Sequence, residues 1–135
     1  EHGDIFEHYQ RRQWDTLIPA KSLLEAGISW AGHSDSPVST SDPLLHIQAL
    51  VTRTSAEGKV YGAAQRVTAE QAISTWTLGG AYACRMEDQT GSIVVGKRAD
   101  FVVLGADPTV VPPEQIRAIP VRGTFVDGRR VFGAR

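Results

Sequence analysis

The stretch Gly32-His33-Ser34-Asp35-Ser36-Pro37-Val38 decides the fold. An apolar tetrad, Ile28-Ser29-Trp30-Ala31, leads into it, and Asp42-Pro43 follows as a helix opening, with Asp42 as cap and Pro43 in the first turn. A carboxylate placed where a buried strand stops and the chain turns is held rigidly yet faces solvent. That is the condition a catalytic or metal-binding group needs. Asp35 is therefore the first candidate. The competing reading is a turn residue that merely bonds to its own backbone ahead of a proline, and the local pattern alone leaves both open.

Upstream of this stretch, Pro19 suits a first helical position, and a helix is expected over 20–26 with Leu23 and Leu24 inward and Gly27 ending it. Residues 28–31 are almost continuously apolar, as in a parallel strand covered on both faces. Helix, glycine turn and buried strand in succession are what a repeating βα architecture contains. Nearer the start, Ile5, Phe6, Tyr9 and Trp14 among charges fit a short surface helix, with His2 and His8 facing solvent.

Downstream, the spacing predicts a helix over 44–53 that buries Leu44, Ile47, Leu50 and Val51. His46 within it is expected to be a half-buried or surface side chain, and Arg53 at its end to anchor the helix or neutralise a carboxylate. Thr68-Ala69-Glu70-Gln71 has the capping-box form and starts a helix with Ala72, Ile73 and Trp76 inward. Gly79-Gly80 is expected to interrupt it before a second short helix over 81–86, where Cys84 reads as a small buried packing residue. From Thr90 the composition turns to β-branched residues and glycine. Strands are expected over 92–95 and 100–104, and a hairpin over 121–132 about Asp127-Gly128, which supplies the positive φ angles of a type I′ turn. One helical turn is expected over 114–116. One parallel strand and four short antiparallel ones leave edges unpaired, so both halves want more strands than the sequence provides.

Composition bounds the function. With 135 residues, 41% of them hydrophobic and 21% charged, the chain has the makings of one globular domain or a piece of a larger one. A net charge of -1 supplies no basic field to collect phosphates, which argues against nucleic acid as a partner. A single cysteine excludes an internal disulfide and any multi-thiolate metal site, and suits a reducing, cytoplasmic compartment. No apolar run approaches the roughly 18 residues of a membrane span. The abrupt polar opening without an initiator Met reads as a fragment or a processed product.

The order of these strings resembles the C-terminal part of metal-dependent amidohydrolases, and within them the YtcJ-like amidohydrolase 3 branch. The matching strings are Pro19-Ala20-Lys21-Ser22-Leu23-Leu24-Glu25-Ala26-Gly27, Ser34-Asp35-Ser36-Pro37-Val38, Asp42-Pro43-Leu44, Ala49-Leu50-Val51-Thr52-Arg53, Thr68-Ala69-Glu70-Gln71-Ala72, Ala81-Tyr82-Ala83, Gly91-Ser92-Ile93, the run from Gly96 to Leu104, and Val126-Asp127-Gly128. Any one is weak; their order and spacing together are specific. The resemblance implies an α/β fold: residues 1–89 as the last β/α unit of a (β/α)8 TIM barrel, and 90–135 as C-terminal strands of a small composite β-sandwich. It also implies that Asp35, at the end of the eighth barrel strand, contacts the metal site and shuttles a proton between the attacking water and the leaving nitrogen. His33 stands where a glycine commonly precedes the Ser-Asp pair, and either lines the pocket or fills space behind it. Ser34, Ser36 and Pro37 shape the turn at the pocket rim.

The metal implied is divalent, most naturally zinc, with ligands drawn mainly from a His-x-His pair and further histidines on strands this sequence does not contain. The four histidines, His2, His8, His33 and His46, match none of those positions. Asp35 alone cannot hold a catalytic metal, since a working site needs about three protein ligands. The expectation is therefore one portion of an enzyme that hydrolyses C–N bonds in small amides, inactive by itself and holding no metal by itself. The alternative is a non-catalytic interaction module that offers its open strand edges to another chain. Either way the exposed strands favour a homo-oligomer.

Overall fold

The computed structural model describes residues 15–133. The helix expected around Ile5 and Trp14, with His2 and His8, lies outside the described residues. Helix α1 spans Ala20–Glu25 and buries Ala20. It closes through Ala26 and Gly27, whose φ of 68° is the left-handed conformation that glycine adopts without a steric penalty. The Ile28 amide then donates back to the Leu23 carbonyl at 2.9 Å.

Residues 28–34 run on without regular secondary structure, where the sequence predicts a buried strand. A parallel strand exists only through the ladder it makes with its neighbours, and among the described residues none lies alongside it. The segment is instead laid across the later helices. The Gly32 amide donates to the Thr75 carbonyl at 3.2 Å, and a Cβ on Gly79 would collide with the Trp30 carbonyl oxygen.

Helix α2 spans Pro43–Thr52, capped by Asp42, whose carboxylate accepts from the Leu44 amide at 3.0 Å. Leu44, Ile47 and Leu50 are buried, as the apolar spacing predicts. The helix ends at Arg53, a non-glycine residue in the left-handed region with φ 57°. After a short 3-10 turn, Ala63–Gln65, helix α3 spans Ala69–Trp76 with both halves of the capping box formed, Gln71 amide to Thr68 Oγ1 at 3.2 Å and Thr68 amide to Gln71 Oε1 at 2.9 Å.

Helix α4, Leu78–Ala83, departs from expectation. The break falls at Thr77, and Gly79 and Gly80 lie inside the helix. The missing side chain of Gly79 serves the close approach of the 28–34 segment, whereas a Cβ on Gly80 would meet open space. Because α4 starts and ends earlier than predicted, Ala81 is the residue it buries, and Cys84 at its end is exposed instead of packed.

Residues 92–95 form no strand either. Ile93 and Val95 are 88% and 103% exposed, and the chain turns at Val95-Gly96. The sheet consists of β1, Phe101–Leu104, β2, Val121–Val126, and β3, Arg129–Phe132, antiparallel in the order β1-β2-β3. Phe101 faces Phe125 in register, their rings stacked at 4.5 Å, and the Arg130 guanidinium lies 5.3 Å from the Phe125 ring centre. Asp127 and Gly128 take φ of 51° and 73°, the expected hairpin turn. The expected helical turn is a 3-10 segment, Pro113–Ala118. Its Ile116 is fully buried and joins Ile119, Ala20, Leu44, Ile47, Leu50, Val67 and Ala72 in one core. The Arg117 amide donates to Gln48 Oε1 at 2.9 Å, a polar tie from this segment to α2.

Candidate functional site

Three backbone facts place the candidate acid. Gly32 is pinned to α3 through Thr75; Asp35 takes φ of 52°, a left-handed conformation that a short polar residue tolerates; and the Val38 amide donates to the Asp35 carbonyl at 2.8 Å, closing a turn over 35–38. The Ser36-Pro37 peptide within that turn is cis. Asp35, Ser36 and Pro37 are exposed and Ser34 is half-buried. The turn is closed through the Asp35 backbone carbonyl, and its side chain lies on the exposed surface.

His33 lies at the edge of a cleft of about 330 Å³ whose other walls include Trp30, His46, Trp76, Ala49 and Arg53. Of the site residues named from sequence, His33 is the one that lines this cleft; Ser34 ends the irregular segment and Asp35, Ser36 and Pro37 form the turn beyond it. His46 sits on α2 with Nε2 2.8 Å from the Thr40 carbonyl oxygen. Since a carbonyl can only accept, Nε2 carries the proton. The imidazole stacks on the Trp76 indole with ring centres 5.1 Å apart and planes 10° from parallel. Neither contact was visible in the sequence, where the only signal was that Trp76 belongs to the inward face of its helix.

Arg53 closes the cleft's far side. Its guanidinium donates to three carbonyls, Nε to Tyr61 at 3.0 Å, Nη2 to Leu17 at 3.0 Å and Nη1 to Ile18 at 3.3 Å. These bonds tie the end of α2 to the approach of α1, an anchoring role of the kind expected from the sequence. Burial lowers the Arg53 pKa from its ordinary value, and the nearby Asp15 carboxylate acts in the opposite sense.

Among the described residues, no three His, Cys, Asp or Glu side chains come together closely enough to hold a metal ion. A catalytic centre of that kind takes about three protein ligands, so the donor set here does not by itself fit one. None of the described helices is long and apolar enough to cross a membrane.

Residues 4–132 match the Amidohydro_3 model, the amidohydrolase family. The chain belongs to this family. The amidohydrolase chain is 32% identical over 131 residues to the protein of Bacillus subtilis named as amidohydrolase YtcJ, covering 95% of this chain and 25% of that one. It is 31% identical over 128 residues to the N-substituted formamide deformylase of Arthrobacter pascens, covering 93% and 24% respectively. It therefore spans about a quarter of the length of these curated relatives. In fold it is similar to an amidohydrolase from Thermotoga maritima, with a TM-score of 0.64 at 22% identity over 86% of this chain and 26% of that one. Guanine deaminase of E. coli gives a TM-score of 0.62 at 22% identity, over 85% and 30%. The family membership read from the ordered sequence strings is borne out.

Proposed function

We propose that this chain forms the closing β/α portion, with part of a companion β-sandwich, of a metal-dependent amidohydrolase that hydrolyses C–N bonds in small molecules. Residues 1–89 would complete the barrel and 90–135 contribute strands to the sandwich. Asp35 is the residue of this chain that takes part in the reaction. It accepts a proton from the attacking water as the C–O bond forms, and returns it to the nitrogen as the C–N bond breaks. His33 lines the approach to it, with Ser34, Ser36 and Pro37 setting the turn. The divalent metal of such an enzyme, zinc by family resemblance, would draw its ligand set from residues outside this stretch.

The observation that carries the reading is the geometry at Asp35, an exposed carboxylate on a backbone-closed turn immediately beyond the segment that the fold pins to α3. The span of about a quarter of each curated relative supports the role of a portion. An N-substituted amide of a small acid is the substrate class to try first, in view of the formamide deformylase relative.

The test joins these residues to an upstream segment carrying a His-x-His strand and follows hydrolysis of an N-substituted formamide. The complete enzyme turns over, Asp35→Asn lowers kcat by about 10²-fold or more, and the 135-residue chain alone stays inactive with added zinc. Full activity of the Asp35→Asn enzyme, or turnover by the isolated chain, overturns the reading. The alternative, a non-catalytic module that binds another chain, draws on the exposed Ile93, Val94 and Val95. A reading frame without any upstream His-x-His strand would favour it.

A further inference from the structure

The loop over 33–41 carries Asp35, and its two ends are secured by one pair of rings. At its far end, the Thr40 carbonyl accepts from His46 Nε2 at 2.8 Å. At its near end, Gly32 sits against the Trp76 indole so closely that a Cβ there would overlap the ring, 2.6 Å from Cε2. The two anchors are one object, because His46 and Trp76 stack face to face at 5.1 Å. The rings come from different helices, α2 and α3, so the loop is referenced to both. Trp76 is also next to Thr75, whose carbonyl holds the Gly32 amide.

We propose that His46 is a positioning residue: its imidazole, seated on Trp76, holds the Thr40 end of the 33–41 loop against the ring that packs on the Gly32 end, and so sets where the Asp35 carboxylate stands. The inference rests on the role proposed for Asp35, but the clamp itself is readable without catalysis. The physical demand is plain. A side chain that must meet a proton at hydrogen-bond distance tolerates little displacement, and a loop is the least precise place to mount it unless its ends are fixed. A stacked imidazole donor does this well, since the ring plane is set by the indole and the proton direction by the ring.

The experiment is amide hydrogen exchange on the full chain, comparing wild type with His46→Phe, which keeps a ring on Trp76 and loses the donor, and His46→Gln, which keeps a donor. The Val38 amide, bonded to Asp35, reports the loop; the Ala72 amide, bonded to Thr68 inside α3, reports the fold. His46→Phe is expected to speed exchange at Val38 about tenfold, the loss of one hydrogen bond, with Ala72 unchanged, and His46→Gln to restore most of the protection. Wild-type exchange at Val38 in His46→Phe, or equal acceleration at Ala72, overturns the clamp. Should His46→Phe not fold, Trp76→Leu removes the other ring and is judged by the same two amides. In the complete enzyme, His46→Phe lowers kcat with KM little changed, and His46→Gln recovers it. Unchanged exchange would remove the clamp while leaving the Asp35 role standing. An active Asp35→Asn enzyme would remove that role while leaving the exchange result intact.

Discussion

Gln65 holds the first turn of α1 from 43 residues away: its Oε1 accepts from the Ser22 amide at 3.0 Å, and its Nε2 donates to Ser22 Oγ at 2.8 Å. An amide N–H in the first turn of a helix has no partner within it, and a buried glutamine supplies one. Gln65→Ala removes both bonds and leaves the Ser22 amide unsatisfied. A loss of about 2 kcal/mol in unfolding free energy is expected, read from the urea midpoint at unchanged slope.

Gly32→Ala tests the seat of the loop. The added methyl meets the Trp76 ring, which cannot swing aside while it is stacked on His46. Overpacking of this kind costs about 1–3 kcal/mol. A changed tryptophan emission should accompany the lower melting temperature, and wild-type stability with unchanged emission would show that the ring yields freely.

Asp100 governs the acid limb of stability. Its carboxylate accepts from the Asp127 amide at 2.7 Å and from Thr90 Oγ1 at 3.1 Å, and Arg98 lies 3.7 Å away. The Asp127 bond above all holds its pKa below the ordinary carboxylate value, against a smaller opposing effect of desolvation. Asp107 is lowered likewise by the hydroxyl and amide of Thr109. A carboxylate whose pKa is depressed on folding stabilises the protein above its unfolded pKa, and this is lost as pH falls through the folded value. The melting temperature should therefore decline from about pH 4 downward. Asp100→Asn should show a shallower decline over that window and a lower plateau at neutral pH.

The tip formed by Ile93, Val94 and Val95 should drive self-association. All three are exposed, and contiguous apolar surface of this kind is ordinarily covered by a partner. Light scattering of the isolated chain should show mass rising with concentration, and the double change Ile93→Lys, Val95→Lys should return it to monomer. A clean monomer at high concentration for the unaltered chain would dismiss this expectation.

Much of the local structure was legible because its causes are local. The capping box at Thr68 and Gln71, the Asp42-Pro43 opening and the Asp127-Gly128 turn each rest on a few adjacent residues, and each forms where read. The failures share another cause. The strand read at 28–31 has the apolar content of a covered strand, but a strand is a relation between segments, and the described residues supply no neighbour. Residues 92–95 fail in the same way. The break expected at Gly79-Gly80 falls at Thr77 instead, because glycine marks both chain breaks and close approaches, and at Gly79 only the position of the Trp30 carbonyl distinguishes them. At the site, the turn at Asp35 could be read from its sequence. The His46–Trp76 stack could not, because nothing in the spacing of two helices says which of their side chains will meet.

The exposure of Cys84 has a practical use. It is the single thiol in the sequence and stands exposed at the close of α4. A maleimide dye would attach there once per molecule without any engineered residue. Energy transfer from a tryptophan or a second dye would then follow, in real time, whether this chain binds the upstream segment proposed above.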